Sequence, residues 1–259
     1  MLVAEIGNSR GVMGDQIPSP GSSRSISVCF PAYNEEATIG DVLQEAHELL
    51  STSALKYEIL VCDDGSRDRT ANIIEGMTAR IPHLRAFHHP RNLGISATFE
   101  HLYSEAINEF VFLNSSDRQW ATSIVFGMLP LTADWDVIVA SRIETHYGSI
   151  RRFISWGFNQ IPPIVFGVRT SDAGAVKLMR REIIERFSLV SKSPFCEAER
   201  LIRAARAGYR ITQFPVEVSA RRTGTMKGVN FGAVIGSLMD IPRVWWSLRS
   251  EAVRAGDQK

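Results

Sequence analysis

Short apolar segments alternate with longer amphipathic ones through the first half of this chain, and no other feature constrains its fold as strongly. Residues 26–30 (ISVCF) and 57–62 (YEILVC) have the composition of buried strands. Between them, apolar side chains recur at helical spacing from Ile39 to Leu50, with Thr38 as the expected N-cap. The same patterns predict strands at 84–88, 110–113 and 136–140 and helices at 70–80 and 96–106. Such alternation forms βαβ units, so we predict the α/β class, with a mostly parallel central sheet flanked by helices.

The second half of the chain is less regular. Its patterns predict helices at 181–187 and 197–207 and a strand at 210–218. No internal repeat and no clear linker interrupts the sequence, so we expect a single domain over residues 25–228. The first 24 residues contain the segment GDQIPSPGSSR and no sustained periodicity, which predicts a flexible leader.

Residues 229–259 are expected to form a C-terminal helical extension. The segment FGAVIGSLMDIPRVWWSLR mixes apolar residues, two Trp and Arg, which is typical of a helix that lies in a membrane interface. A terminal helix docked on the core explains the same pattern equally well. No stretch reaches the ~20 mostly apolar residues of a bilayer crossing, and no signal peptide is evident. We therefore expect a cytoplasmic protein whose membrane contact, if any, is peripheral and on the cytoplasmic face.

The near-neutral net charge of the chain argues against a nucleic-acid partner. Lys and Arg number 29 and Asp and Glu 28, for a formal net charge of +1, so no global basic excess points to nucleic acid and we predict no nucleic-acid partner. The three cysteines (Cys29, Cys62 and Cys196) are widely spaced and form neither a disulfide framework nor a zinc pattern. Their scarcity is consistent with a reducing compartment.

Polar clusters follow each of the five predicted strands at its carboxyl end. In an open α/β sheet ligands bind beyond this edge, so five clusters in succession predict one binding cleft. Neither the Gly-x-Gly-x-x-Gly of a dinucleotide fold nor a Walker sequence is present, which removes the phosphate cradles of the nicotinamide and ATP families. The clusters are residues 31–35, 63–66, 91–92, 115–117 and 141–142.

Individual residues in these clusters suggest binding of a nucleotide. Pro31 and Tyr33 offer a rigid turn and an aromatic face for a base, and Asp63 could accept hydrogen bonds from a base or ribose, although Asp-Asp-Gly is also an ordinary turn. Asp117 could hold a divalent cation that bridges a diphosphate, or cap a helix. His88 and His89 are neighbours on a predicted strand, so they face opposite sides and are interpreted as structural.

Two features further along the chain suggest an acceptor site. Glu197 and Glu199 begin a predicted helix, where acids are favourable in any case, and one of them could lie at the acceptor. The segment RRTGTMKG, with Arg221, Arg222 and Lys227, has the composition of a phosphate-binding loop or of a solvated basic surface. Arg151 and its neighbour Arg152 add positive charge.

Taken in order, these segments resemble the family-2 glycosyltransferases of the GT-A fold, and in particular the dolichyl- and polyprenyl-phosphate sugar transferases. FPAYNEEATIG is similar to their P-x-YNE turn, LVCDDGSRDRT to their DDGS element and PRNLGISAT to their N-x-G segment. SRIETHYGSIRRFISWGFN, DAGAVKLMRRE, EAERLIRAARAGYRI and RRTGTMKG match four later elements. The resemblance runs from Ile26 to Lys227 and implies a GT-A, Rossmann-like single domain.

The resemblance also implies roles for individual residues. Nucleotide-sugar binding falls to Pro31, Tyr33, Glu35, Asp63, Asn92 and Gln119. Asp117 matches the second Asp of the D-x-D metal motif, Arg142 lies near the diphosphate, and Glu199 matches the Glu of the acceptor helix; these three are the expected catalytic residues. Arg151, Arg221, Arg222 and Lys227 are expected to hold the acceptor phosphate.

One departure from the family pattern bears on the cofactor. Ser115 stands where the first Asp of D-x-D is expected, which removes one negative charge from the site for Mg²⁺ or Mn²⁺. Three outcomes fit this change: weaker metal binding through Asp117, metal-independent catalysis in which Arg and Lys replace the ion, or lost catalysis. We expect the first.

The predicted function is inverting transfer of a sugar from a nucleoside-diphosphate sugar to a polyprenyl phosphate. Two other functions fit the same residues. One is a transferase of this fold that acts on a hydroxyl acceptor, either a glycan or a small molecule. The other is a nucleotide-sugar-binding paralogue with weakened catalysis.

Overall fold

The computed structural model describes residues 24–142, 157, 160–168, 175–216 and 231–256, and it contains one seven-stranded sheet in the order β3-β2-β1-β4-β6-β5-β7. The predicted α/β class with a mostly parallel central sheet is confirmed. The strands are β1 Ser25–Ala32, β2 Lys56–Asp63, β3 Leu84–His88, β4 Phe110–Leu113, β5 Val137–Arg142, β6 Lys177–Arg180 and β7 Ile211–Val216.

Strands β1 to β4 are parallel neighbours: β1 pairs with β2 and with β4, and β2 pairs with β3. Strand β6 runs antiparallel between β4 and β5, while β7 is parallel to β5. Sequence patterning did not predict β6, because KLMR is only four residues long and two of them are cationic. Strand β6 is held in the sheet by antiparallel pairing with β4 and β5, and Lys177 is buried between them.

Helices cover the sheet and bury its central strands. Every residue from Ile26 to Phe30 of β1 is fully buried, as is every residue from Ile59 to Cys62 of β2, so both faces of these strands are covered as a parallel sheet requires. The α-helices are α1 Ile39–Ser51, α2 Thr70–Thr78, α3 Ile95–Glu105, α4 Ile124–Met128, α5 Arg181–Arg186, α6 Cys196–Arg206 and α7 Phe231–Gly256, with a 3₁₀ helix at Leu129–Ala133.

The start of α1 differs in detail from the prediction. Thr38 does occupy the N-cap position, but its side chain makes no capping hydrogen bond there. The backbone N–H groups of Thr38 and Ile39 instead donate to the carbonyl of Glu35, at 3.0 and 2.9 Å. The turn that precedes α1 is therefore closed by backbone hydrogen bonds to the Glu35 carbonyl and not by a side-chain cap.

Helix α7 packs on the domain through one face. Val244 and Leu248 of this helix are buried in a cluster with Phe195 and Ile202 of the α6 region and with Phe166. On the opposite side Trp246 is 71% exposed, and Ile235, Leu238 and Met239 are also exposed. Within the described residues, no helix combines the length and apolar composition that a bilayer crossing requires. The predicted leader lies outside the described residues except for Arg24, which donates a hydrogen bond to the Leu129 carbonyl.

Candidate active site at the carboxyl edge of the sheet

Two turns at the ends of β1 and β2 are joined by hydrogen bonds between their backbones and side chains. Asn34 takes a left-handed conformation, with φ of 53°, and its N–H donates to the Ser66 hydroxyl at 2.8 Å. In return, the N–H of Arg67 donates to the Asn34 side-chain oxygen at 2.8 Å. Glu35 N–H donates to the Thr70 hydroxyl. These bonds hold the segment that carries Pro31, Tyr33 and Glu35 against the end of β2.

Asp63 and Asp64 perform different tasks at the end of β2. Asp63 is 3% exposed; its Oδ1 accepts the N–H of Ser66, and its Oδ2 lies 3.6 Å from Nδ1 of His88. Asp64 accepts the N–H groups of Leu93 and Gly94 at 2.8 and 2.9 Å. The second aspartate therefore anchors the segment after β3, and only the first faces His88 at the predicted base site.

Gly65 brings Asn92 to the same edge. Its φ is 68°, and a Cβ built there would lie 2.4 Å from the carbonyl carbon of Arg91 and 2.7 Å from the Asn92 nitrogen. Only a glycine permits both the left-handed conformation and this close approach. Asn92 itself is exposed, so its side chain is accessible to a ligand.

The segment after β4 carries the predicted metal-binding residue. Oδ1 of Asp117 accepts the Ser115 hydroxyl at 2.7 Å and the N–H of Gln119 at 3.1 Å. Ser116 donates its hydroxyl to the Pro31 carbonyl at 2.5 Å, which ties this segment to the end of β1. The Ser115 side chain therefore contacts Asp117 directly, at the position where the family pattern has a second carboxylate.

Arg142 ends β5 on the far side of the same edge. Its guanidinium carbon lies 5.0 Å from the ring centroid of Trp120, which is 5% exposed and follows the Asp117 segment. A cationic side chain and a carboxylate-bearing loop thus meet where β4 and β5 end. A diphosphate needs this combination of positive charge and a partner for a divalent ion.

A buried ionic network lies behind this edge, and local sequence pattern does not predict most of its contacts. Lys177 donates to Oε2 of Glu197 at 2.5 Å, and the Tyr103 hydroxyl donates to the same oxygen at 3.0 Å. Arg200 lies 3.6 Å from the other carboxylate oxygen. Burial opposes ionisation of Glu197, but Lys177 and Arg200 outweigh it and lower the pKa of this carboxyl. The acidic pair at the start of α6 was the only signal in the sequence.

Glu199 is fully buried on the other side of α6. Its carboxylate accepts the N–H groups of Val190 and Ser191 and, at 2.7 Å, Nε of Arg203. These bonds favour an anchoring role, in which Glu199 holds the segment before α6. The catalytic role that the resemblance implies for Glu199 stays a prediction.

The structure thus brings most of the predicted site residues to one edge of the sheet. The ends of β1, β2, β4 and β5 carry Pro31, Tyr33, Glu35, Asp63, Asp117, Gln119 and Arg142, and the segment after β3 carries Asn92. The residues predicted to hold the acceptor phosphate, which are Arg151, Arg221, Arg222 and Lys227, lie outside the described residues.

Known proteins related to this chain are identical to it at about a quarter of the aligned positions. A dolichyl-phosphate beta-glucosyltransferase of Trichomonas vaginalis is 26% identical over 227 residues, which cover 78% of this chain and 69% of that protein. An undecaprenyl-phosphate 4-deoxy-4-formamido-L-arabinose transferase of Shewanella sediminis is 28% identical over 166 residues, covering 62% of this chain and 49% of the other. The chain therefore spans only about half the length of the Shewanella relative.

Solved structures share the fold. A glucosyl-3-phosphoglycerate synthase from Mycobacterium tuberculosis, in complex with Mn²⁺, uridine-diphosphate and phosphoglyceric acid, superposes with a TM-score of 0.64 at 19% identity, over 84% of this chain and 78% of that one. At this identity the likeness establishes the GT-A fold alone. Residues 27–187 match Glycosyl transferase family 2, which is more than half of the 259 residues. The chain is therefore a glycosyltransferase of the GT-A fold and belongs to glycosyltransferase family 2.

Proposed function

We propose that this chain transfers a sugar, with inversion, from a nucleoside-diphosphate sugar to a polyprenyl phosphate of the dolichyl type. The observation that carries the proposal is at the carboxyl edge of the sheet. There the Arg142 guanidinium packs on the ring of Trp120, which belongs to the same loop as Asp117. The two relatives described above act, by their names, on dolichyl and undecaprenyl phosphates, and they support the choice of acceptor.

The nucleoside would bind at the ends of β1 and β2. Tyr33 is partly exposed and offers an aromatic face, while the buried Asp63 offers a carboxylate to the donors of a base. Glu35 and Asn92 flank this position, on the turn after β1 and on the segment held against Gly65. Gln119 follows Asp117 and would contact the diphosphate or the sugar.

The residues present fit a divalent cation that arrives with the diphosphate. Asp117 supplies one carboxylate, and within the described residues it belongs to no group of three metal-binding side chains. Mg²⁺ in proteins is commonly held by one or two carboxylates together with substrate phosphates, so a single Asp suits such an ion. Bound there, the cation would neutralise negative charge on the departing nucleoside diphosphate.

Arg142 would share this work from the other side of the edge. Its guanidinium is always charged and donates in a planar fork that matches phosphate oxygens. Its guanidinium packs on the buried Trp120 ring, a contact that would hold it in place before the substrate binds and so limit reorganisation.

The acceptor chemistry requires little help from a base. A phosphate monoester is ionised at neutral pH, so its oxygen attacks the anomeric carbon in one displacement as the diphosphate leaves. We propose that Arg151, Arg221, Arg222 and Lys227 bind this phosphate. A hydroxyl acceptor would instead need a general base. Glu199 is the sequence candidate for that role, but its carboxylate already receives three donors.

Transfer assays test the proposal directly. The chain would be incubated with a panel of nucleoside-diphosphate sugars, with Mg²⁺ or Mn²⁺, and with either polyprenyl phosphate or hydroxyl acceptors that include 3-phosphoglycerate. We expect sugar on polyprenyl phosphate and release of the nucleoside diphosphate. Transfer only to a hydroxyl acceptor would reject the lipid acceptor while retaining the donor. Stabilisation by the nucleotide without any turnover would instead indicate a binding protein.

A further inference from the structure

We propose that Cys62, His89 and His101 form a site for Zn²⁺ or a similar borderline divalent metal, separate from the cation at Asp117. The three side chains come from the end of β2, the segment after β3 and helix α3. Their ligand atoms converge: Sγ of Cys62 is 3.6 Å from Nε2 of His89 and 3.8 Å from Nδ1 of His101, and the two nitrogens are 3.0 Å apart.

These spacings match the edges of a zinc coordination tetrahedron. With Zn–N of about 2.05 Å and Zn–S of about 2.3 Å, tetrahedral angles place two nitrogens about 3.3 Å apart and a nitrogen and a sulfur about 3.6 Å apart. The measured distances in the cluster differ from these by only a few tenths of an ångström. The two imidazole planes are inclined by 13° to each other, with ring centroids 5.2 Å apart.

The surroundings of His89 are those of a zinc ligand. Its Nδ1 lies 2.8 Å from Oδ1 of Asp64, and Asp64 is itself fixed by the N–H groups of Leu93 and Gly94. A carboxylate on the far nitrogen of a ligating imidazole fixes the ring and strengthens it as a ligand. It also leaves Nε2 of His89 to face Cys62 and His101.

Charge and proton balance are consistent with a metal. Binding would release the Cys62 thiol proton to solvent, and the proton of His101 would reside on Nε2, while both imidazoles stay neutral. The thiolate and the nearby Asp64 carboxylate would then balance a 2+ ion.

The ligand set also selects the metal. One thiolate and two imidazoles suit Zn²⁺ or Co²⁺, whereas Mg²⁺ and Mn²⁺ prefer oxygen ligands such as Asp117 and phosphates. His89 is nearly buried and His101 is partly exposed, so an ion could reach the site from the α3 surface. A metal there would link β2, the segment after β3 and helix α3.

Cobalt provides the test, because Co²⁺ bound to a thiolate absorbs in the near ultraviolet. The full chain, stripped of metal with a chelator and dialysed, would be titrated with Co²⁺ and then with Zn²⁺. We expect one equivalent of Co²⁺ per chain with a thiolate-to-cobalt band, displaced by Zn²⁺ and unaffected by excess Mg²⁺. Absence of the band in the folded chain would overturn the proposal and leave a hydrogen-bonded cluster.

Variants separate this site from others. Cys62→Ala and His101→Ala should remove the band, and Asp64→Asn should weaken Zn²⁺ binding about 10- to 100-fold. Asp117→Ala should leave the band unchanged. His47→Ala and Cys29→Ala are the matched controls outside the cluster. Should Cys62→Ala fail to fold by circular dichroism, His101→Ala carries the test, because this side chain is partly exposed. A band that persists in His101→Ala would contradict the assigned ligand set.

Discussion

At the scale of single residues, the site depends on positions where the backbone conformation tolerates only one residue type. Gly65 is the sharpest case, because its left-handed φ of 68° coincides with close contact to the Arg91 backbone. Asp64, Gly65 and the segment that carries Asn92 form one unit, since Asp64 accepts two N–H groups from that segment. Disturbing the glycine should therefore affect both stability and the nucleotide-binding edge.

Gly65→Ala should destabilise the fold by about 2 kcal/mol or more, because the new Cβ would meet Arg91 backbone atoms that cannot rotate away. Urea denaturation measures the change. Gly76→Ala is the matched control: Gly76 lies inside α2 with no atom within 4 Å of an added Cβ. That control should gain up to about 1 kcal/mol from helix propensity. Equal stability of the two variants would contradict this reading of the turn.

Asp117→Asn should lower the rate of sugar transfer by about two to three orders of magnitude, the usual cost of losing one group that stabilises developing charge. The fold should survive, since the Asn side-chain oxygen can still accept from Ser115 and Gln119. Steady-state kinetics with saturating Mg²⁺ measure the transfer rate, and circular dichroism checks that the variant is folded. Asp134→Asn, at an exposed position, serves as the control. Full activity of Asp117→Asn would remove this residue from the mechanism.

At the scale of elements, helix α7 has two faces with different surroundings. The docked face is held by apolar packing and also by Asp240, which is 1% exposed and accepts the N–H groups of Lys192 and Ser193. Those two bonds and Arg243 outweigh burial and lower the pKa of Asp240, so the anchor is ionised at neutral pH. The opposite face exposes Trp246 and three large aliphatic side chains.

We expect the exposed face of α7 to contact anionic membrane surfaces. Trp246→Glu should reduce co-sedimentation with vesicles that contain anionic lipid several-fold, because it replaces an interfacial anchor with a like charge. Thermal stability should be unchanged, since Trp246 is 71% exposed. Ile107→Glu is the matched control, because Ile107 is a large apolar side chain that is 64% exposed and lies outside α7, and the substitution adds the same single negative charge. Equal sedimentation of Trp246→Glu and the parent chain would refute the membrane role.

At the scale of the whole molecule, the buried pair of Lys177 and Glu197 joins the sheet to the helices behind the site. The two side chains are 1% and 3% exposed. Truncating one member of such a pair leaves a buried charge without its partner, which is far costlier than losing a surface ion pair. The pair therefore couples β6, α3 and α6 through Glu197, since Tyr103 on α3 shares its carboxylate oxygen.

Glu197→Gln should cost about 3–5 kcal/mol of unfolding free energy at neutral pH. The folded-state pKa of Glu197 is lowered, so its contribution is complete above the ordinary carboxyl range and is lost as pH falls through the lowered value. The parent chain should therefore lose stability on acidification more steeply than the variant. Denaturant unfolding at several pH values measures both. Glu185→Gln, which breaks an exposed pair with Arg181, should change stability little. Parallel pH profiles for the parent and Glu197→Gln would contradict the assignment.

Much of this architecture was predictable from local pattern. Strands β1 to β5 and β7 were predicted to within one or two residues of their described bounds, because an apolar run followed by a turn is a local signal. The location of the site was also predictable. Once consecutive strands are parallel, the polar clusters after β1, β2 and β4 must share one edge, and Ser116 does bond to Pro31 across it.

Contacts between distant segments were not predictable in this way. Strand β6 lacks an apolar run, and the partner of Lys177 is 20 residues further along the chain. Cys62, His89 and His101 have no recognisable metal-binding spacing. The pairing of β3 with β2 and the packing of α3 over β2 bring them together. The amino-acid sequence by itself determined the parallel sheet and the edge where ligands bind, because alternation and turn chemistry act over a few residues. Tertiary structure alone decided which buried charges and ligand atoms meet, because burial forces each polar group to find a partner wherever the fold supplies one.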